Sequence, residues 1–411
     1  MKKVIKLAEA WLFELVKGIG KLFLNPLLYW AVILVVLSGI SRVKKERSNF
    51  GIKVFDVFAE WQNTWRISLV SGLVVSVVCL GLGVIFSYET VILLSLVSIV
   101  LSVALKFTYL SPSYTIGITF LLLLFIPLLT DEIPFIHGND LFSAVNFTGL
   151  ALLLGLLLLV EGIQVNHVNR NESFPELVMS KRGKWVGQHH LKKMSIIPFF
   201  VLIPSGAITP FASFWPTISI GADSYSILLV PFLLGFDHIV KGHAPYQVKR
   251  KLATSIGMLG VLVLLLAVGS LFITWLSLTA VIIAILGREY IRYKHQVYDN
   301  KSNPYFHMEK NGLKVLGVIP GSPADQVGVL TGETIYKVNG QRVNQVADFY
   351  RALQTSGAYF KMDVIDDGGE IRFVQHAFYQ HDHHELGILF AKEKYRLSER
   401  KRNKDSNVKQ E

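Results

Sequence analysis

The sequence of 411 residues is poor in charge and in cysteine. Only 17% of the residues are charged, whereas 51% are hydrophobic, and the mean hydropathy is +0.43. Soluble globular domains seldom combine these values, so we expect most of the chain to lie in a lipid bilayer. The single cysteine, Cys79, excludes an internal disulfide and a thiolate metal site.

The sequence also lacks the motifs of membrane proteases. It has no HExxH string, in which two histidines one helical turn apart hold zinc and the glutamate acts as base. Pro204-Ser205-Gly206 is the nearest approach to a Gly-x-Ser-Gly nucleophile, and it lacks the first glycine. The histidine-rich stretch at residues 381–385 is better explained as a polar loop, because consecutive ligands in a strand face opposite ways. We therefore predict no enzyme activity, no metal and no cofactor.

The excess of basic residues follows the pattern of membrane proteins. The formal charge is +11, and the lysines and arginines lie mostly between or after apolar runs. Such clusters mark the cytoplasmic side of a membrane protein, where they face anionic lipid. An anionic bilayer is thus the expected partner of these charges, and no nucleic-acid partner is predicted.

Apolar runs predict an α-helical polytopic membrane domain over residues 22–287. Residues 1–21 alternate lysines with large apolar residues and predict an amphipathic helix at the membrane surface. A first apolar run covers Leu22–Ile40, and further runs long enough for a span lie at about 67–86, 90–110, 114–130, 144–162, 194–211 and 224–240.

Residues 255–287 decide the topology of the C-terminal half. One helix of this length would measure about 50 Å against a hydrocarbon core of about 30 Å. Basic residues flank the segment on both sides, so a hairpin turning at Gly269-Ser270 is expected, with both flanks in the cytoplasm. A shallow or re-entrant first segment would then leave about eight spans rather than nine. The charged residues Lys106 and Glu161 are interpreted as interfacial.

A linker at 288–307 precedes a small α+β domain at 308–392, and a charged tail, expected to be disordered, occupies 393–411. The stretch Gly312–Asn339 predicts a strand, a turn, a short capped helix, a second turn and another strand. The residues that fit these turns and caps are Gly321, Ser322, Pro323, Gly328, Gly332, Asn339 and Gly340.

This order of elements resembles a bacterial PDZ domain, a peptide-binding module without chemistry of its own. The resemblance implies a groove between a strand that follows a glycine-containing loop and an apolar helix. Its loop and strand residues are Leu386, Gly387, Ile388, Leu389 and Phe390, and its helix residues are Val346, Phe349, Tyr350 and Leu353. The same strand could instead simply close the domain core. Both roles are possible together, because alternate residues of a strand face opposite ways.

The whole chain resembles the MinJ family of division-site proteins. The resemblance is carried by the Asn25–Trp30 entry (NPLLYW), the Arg42–Arg47 exit (RVKKER) and the order of the parts. It implies a non-catalytic scaffold of the Min system, at septa and cell poles, that bridges a DivIVA-like coiled-coil protein to a MinD-like ATPase and possibly other divisome membrane proteins. Two alternatives stay open: a membrane transporter and a PDZ-bearing regulator of a membrane protease.

Overall fold

The computed structural model describes residues 2–130, 145–210, 215–217, 224–307, 312–355, 359–377, 386–392 and 395. The predicted outward loop at 131–140, the histidine-rich stretch and nearly all of the charged tail lie outside these residues. The membrane part contains α1 (Lys2–Leu22), α2 (Pro26–Phe50), α3 (Trp65–Leu82), α4 (Tyr88–Ser102), α5 (Pro112–Thr130), α6 (Phe147–His167), β1 (Phe174–Met179), β2 (Trp185–Ile208), β3 (Tyr225–Val240), α7 (Pro245–Gly269) and α8 (Trp275–Lys301).

Within the described residues, four helices are long and apolar enough to cross a membrane. They are α2, α3, α6 and α7, and α4 and α5 are shorter apolar helices. The prediction of about eight spans is therefore too high, although an apolar helical region does precede the C-terminal domain.

The largest error concerns the runs at 194–211 and 224–240, which are not helices. They form the antiparallel strands β2 and β3, in which Pro198 faces Pro231. Pro198, Pro204 and Pro231 would each remove a backbone hydrogen bond from a helix and clash with its preceding turn. The hairpin lies among the helices. A Cβ atom on Gly72 of α3 would overlap the carbonyl oxygen of Pro198, so helix and strand backbones touch.

Helix α1 packs along this hairpin. Its Glu14 is buried and accepts hydrogen bonds from the Ser226 hydroxyl and from the Ala207 amide. Gly18 lies directly against the backbone of Ile227. The opposite side of α1 leaves large apolar side chains exposed, as an amphipathic helix at a bilayer surface requires: Leu12, Phe13 and Val16.

Helix α2 is continuous from the apolar run into the basic segment, which leaves no re-entrant turn. Asn25 caps it by accepting a hydrogen bond from the amide of Leu27. Near its end, Arg42 is buried and forms ion pairs with Glu46 and Glu60. Glu60 belongs to the loop after α2, so these charges fix the loop against the helix.

The predicted turn at Gly269-Ser270 is confirmed, because α7 ends at Gly269 and α8 begins a few residues later. Helix α8 continues to Lys301, so most of the predicted linker is helical. Its Arg288 is buried and lies 2.7 Å from the carboxylate of Glu161. Glu161 is fully buried, so its interpretation as interfacial is wrong. Its charge is tolerated inside the bundle because Arg288, which is distant in the sequence, is its counter-ion. Lys106 is exposed.

The C-terminal domain has its own apolar core. It comprises β4 (Leu313–Val318), α9 (Pro323–Gln326), β5 (Thr334–Val338), β6 (Gln341–Arg342), α10 (Val346–Gln354), β7 (Tyr359–Ile365), β8 (Ile371–Ala377) and β9 (Ile388–Phe390). The six-stranded sheet has the order β8-β7-β5-β4-β9, with β6 beside β5. Strand β9 is therefore at one edge, and α10 packs against the same core.

Candidate peptide-binding groove

The turns of the C-terminal domain fix the ends of its strands. Gly321, Gly328, Gly332 and Gly340 all have a positive φ, which glycine adopts without steric cost. Asn339 is also left-handed, with φ 49°, a conformation that asparagine tolerates better than most residues. The Ser322 hydroxyl accepts a hydrogen bond from the amide of Asp325, and Pro323 follows at the first helical position of α9.

The loop before β9 is held from both sides. The amide of Ala324 donates to the carbonyl of Leu386 at 3.1 Å, and the amide of Ile319 donates to the carbonyl of Gly387 at 2.8 Å. Gly387 has φ +78°, and a Cβ atom there would overlap the Ser322 side chain. Only glycine fits at this position, because both the backbone conformation and the space exclude a side chain.

Alternate residues of β9 face two different clusters. Ile388 and Phe390 point toward α10, and the Phe390 ring centroid lies 5.1 Å from that of Phe349. Leu386 and Leu353 complete this buried face, whereas Val346 and Tyr350 pack at its margin and stay partly exposed. Leu389 points the other way, into a cluster shared with the membrane part.

The outer edge of β9 is the position that an added strand would take. On its inner side β9 pairs with β4, and none of the described strands pairs with its other side. An extended peptide added there would lie between β9 and α10, with the loop at Gly387 at one end. The structure thus brings the predicted groove residues together, apart from Leu389, which faces away.

The opposite face of the domain is attached to the membrane part, a contact that no sequence pattern indicated. Leu389 and Leu316 pack with Phe174 and Leu177 of β1. No periodicity predicts this, since the two partners are far apart in the chain.

Polar contacts extend this attachment. The Arg170 guanidinium donates to the carbonyl of Thr331 at 2.6 Å and forms an ion pair with Asp367. Asn171 accepts from the Thr331 amide and donates to the carbonyl of Val329, both at 2.9 Å. The contact therefore restrains the domain against the membrane part of the chain.

Comparison with known proteins identifies both the type of the C-terminal domain and the family of the whole chain. A family profile for PDZ domains matches residues 314–364. The chain is 34% identical over 383 residues to the cell division topological determinant MinJ of Bacillus subtilis (strain 168), covering 93% of this chain and 96% of that protein. The chain belongs to the MinJ family. A more distant member, the probable cell division topological determinant MinJ of Lacticaseibacillus paracasei, is 23% identical over 383 residues and covers 90% of this chain and 98% of that protein.

The relatives are named topological determinants, and PDZ domains are binding modules, which is consistent with a protein that is not an enzyme. Among the described residues, no group of three or more His, Cys, Asp or Glu side chains is arranged to hold a metal ion.

Proposed function

We propose that this chain is a non-catalytic membrane scaffold of the Min system. It gathers a DivIVA-type coiled-coil protein and a MinD-type ATPase at division septa and cell poles, and thereby bridges the two. The observation that carries the proposal is the similarity over 93% of the chain to a cell division topological determinant. The open strand edge beside an apolar helix supports a role in holding a partner.

The groove recognises an extended segment of one partner. The segment adds to β9 as a strand, so main-chain hydrogen bonds supply affinity whatever its sequence. Apolar side chains of the segment contact Tyr350 and Val346, which are partly exposed beside β9. A free C-terminal carboxylate fits best at the loop that contains Gly387, because PDZ modules hold a ligand terminus with the backbone of the loop that leads into the edge strand.

The membrane part supplies position. We assign the C-terminal domain to the cytoplasm, where the proposed partners are found, because basic residues flank the segment at 255–287 on both sides. The contacts of Arg170 and Asn171 then hold the domain against the membrane part of the chain. A partner bound in the groove is thus brought to the bilayer surface.

Binding by a full-length chain in nanodiscs tests this function. The variant Val346→Lys places a charge at the groove margin, and Ala347→Lys places the same charge at the next residue, which is exposed. Purified DivIVA-type and MinD-type proteins of the same organism are the probes. We expect the wild type to bind both, and V346K but not A347K to lose at least one of them.

Three results would each contradict a part of the proposal or favour an alternative. Failure of the wild type to bind either probe would remove the scaffold function. Equal binding by V346K, A347K and the wild type would leave the scaffold in place but remove the groove as its contact. Stabilisation of the chain by a small solute, without binding of either protein, would favour the transporter alternative.

A further inference from the structure

A groove with mixed apolar and basic lining lies on the second half of α2. Its volume is about 480 Å³, and it is lined by Ile40, Val43, Lys44, Arg47, Ser48 and Val57. Lys44 and Arg47 are exposed, and no ion pair joins either of them to an acid among the described residues. The acids of α2 near the groove and of the loop that follows are already paired, Glu46 and Glu60 with Arg42 and Asp56 with Lys53.

The groove exists because a loop backbone lies directly on the helix. A Cβ atom on Gly39 would overlap the carbonyl oxygen of Val57, so only glycine permits this approach. The loop is held there by Arg42, whose guanidinium bonds Glu60 and also donates to the carbonyls of Phe55 and Asp56. Val57 therefore forms a fixed wall of the groove, and α2 forms the facing wall.

An exposed apolar stripe leads into the groove along α2. Residues 29, 33, 37, 40, 44 and 47 recur at steps of three or four, which places them on one side of a helix. The first four are Tyr29, Ile33, Leu37 and Ile40, each between 45% and 56% exposed. From Tyr29 to Ile40 the stripe rises about 16 Å, roughly the depth of one leaflet of the bilayer. The two cations follow where the apolar run ends.

We propose that this groove binds the phosphate headgroup of an anionic phospholipid in the cytoplasmic leaflet. Lys44 and Arg47 hold the phosphate, Val43 and Val57 enclose the glycerol region, and an acyl chain lies along Ile33, Leu37 and Ile40. The depth of the cations favours a lipid over a soluble ligand, because they lie at the end of the apolar run, where headgroups lie. The site is independent of the scaffold function, since it shares no residue with the PDZ groove.

The test uses the full chain in nanodiscs made of phosphatidylcholine and phosphatidylglycerol in equal parts. A photoreactive acyl chain on phosphatidylglycerol is cross-linked, the sites are mapped by mass spectrometry, and affinity is measured by competition with unlabelled lipid. We expect cross-links at Ile33, Leu37 or Ile40. The double variant K44Q/R47Q should lower the apparent affinity about 30-fold, or about 2 kcal/mol.

Two matched variants separate the groove from bulk charge. K181Q/R182Q removes the same two types of cation from the exposed β1–β2 turn and should leave the affinity unchanged. Gly39→Ala keeps every charge but displaces the Val57 wall, and should lower the affinity; because its Cβ atom meets backbone atoms, it should also lower the thermal stability of the chain. If G39A does not fold, the comparison of the two charge variants still decides.

The proposal is overturned by any of three results. These are equal affinity for phosphatidylcholine and phosphatidylglycerol, equal losses in K44Q/R47Q and K181Q/R182Q, and cross-links confined to other helices. A fourth result would also overturn the proposal and would identify the groove as a protein contact. In that case an acidic peptide, but not phosphatidylglycerol, would protect the Lys44 amine from chemical acetylation.

Discussion

At the scale of single residues, buried charges hold the cytoplasmic end of α2 in place. Arg42 is only 8% exposed; its Nε atom lies 3.0 Å from Glu60, and its guanidinium covers the Phe174 ring at 4.6 Å. One carboxylate oxygen of Glu46 pairs with Arg42, and the other accepts hydrogen bonds from the amides of Val54 and Phe55. One arginine thus joins α2, its following loop and β1.

We predict that Arg42→Met destabilises the protein by about 3–5 kcal/mol, because two buried carboxylates would lose their counter-ion. The free energy of unfolding in mixed micelles measures this. Lys53→Met removes one member of an exposed ion pair with Asp56 and should cost at most about 1 kcal/mol. Equal losses in the two variants would show that burial of the Arg42 network does not matter.

A second, partly buried network makes stability depend on pH. His190 lies 3.0 Å from both Glu176 and Asp237. Burial alone lowers the pKa of His190, but hydrogen bonds and charge interactions with the two carboxylates more than reverse this and raise it from 6.5 to about 9. The protonated imidazole is therefore the form that the folded protein favours.

The raised pKa of His190 stabilises the fold fully below pH 6.5, and this contribution disappears as the pH rises through about 9. We predict a loss of about 2–3 kcal/mol across that window. His190→Gln should flatten this part of the stability–pH curve, whereas His307→Gln, at an exposed position, should not. An unchanged curve in H190Q would refute the assignment.

At the scale of elements, local patterns predicted the C-terminal domain better than the membrane part. Turn glycines and the Ser322-Pro323 pair depend on the backbone conformation of a few consecutive residues, so the sequence identifies them directly. Apolar runs of 15 to 20 residues are ambiguous, because a strand buried on both faces and a membrane helix read alike. Pro198, Pro204 and Pro231 were the signals that favoured strands.

Contacts between distant residues could not be predicted at all. Glu161 and Arg288 are separated by 127 positions, and neither flank indicates its partner. The same holds for Asn171 and the Thr331 amide. Positions of charges along the chain define topology, whereas ion pairs depend on packing that one sequence does not reveal.

The β2–β3 pairing can be tested by disulfide cross-linking in a Cys79→Ser background. Val201 and Leu228 are register partners, so V201C/L228C should form a disulfide under mild oxidation. V201C/L234C is the control, because a shift of six residues along a strand is about 20 Å. Cross-linking of neither pair would be expected if the two runs were membrane helices, and would contradict the hairpin.

At the scale of the whole molecule, a membrane anchor presents a peptide-binding domain. The domain contacts β1 through Leu389 and Leu316, while Ile388 and Phe390 of the same strand belong to the core that α10 covers. The MinJ family relationship and the PDZ domain suggest that this arrangement serves contacts with protein partners.

The most direct test is the position of the fluorescently tagged chain in dividing cells, recorded together with a tagged MinD-type ATPase. The account predicts that the chain concentrates at septa and poles, and that the ATPase leaves these sites when the chain is deleted. Uniform signal of the chain around the envelope, with the ATPase unaffected by its deletion, would contradict the scaffold function.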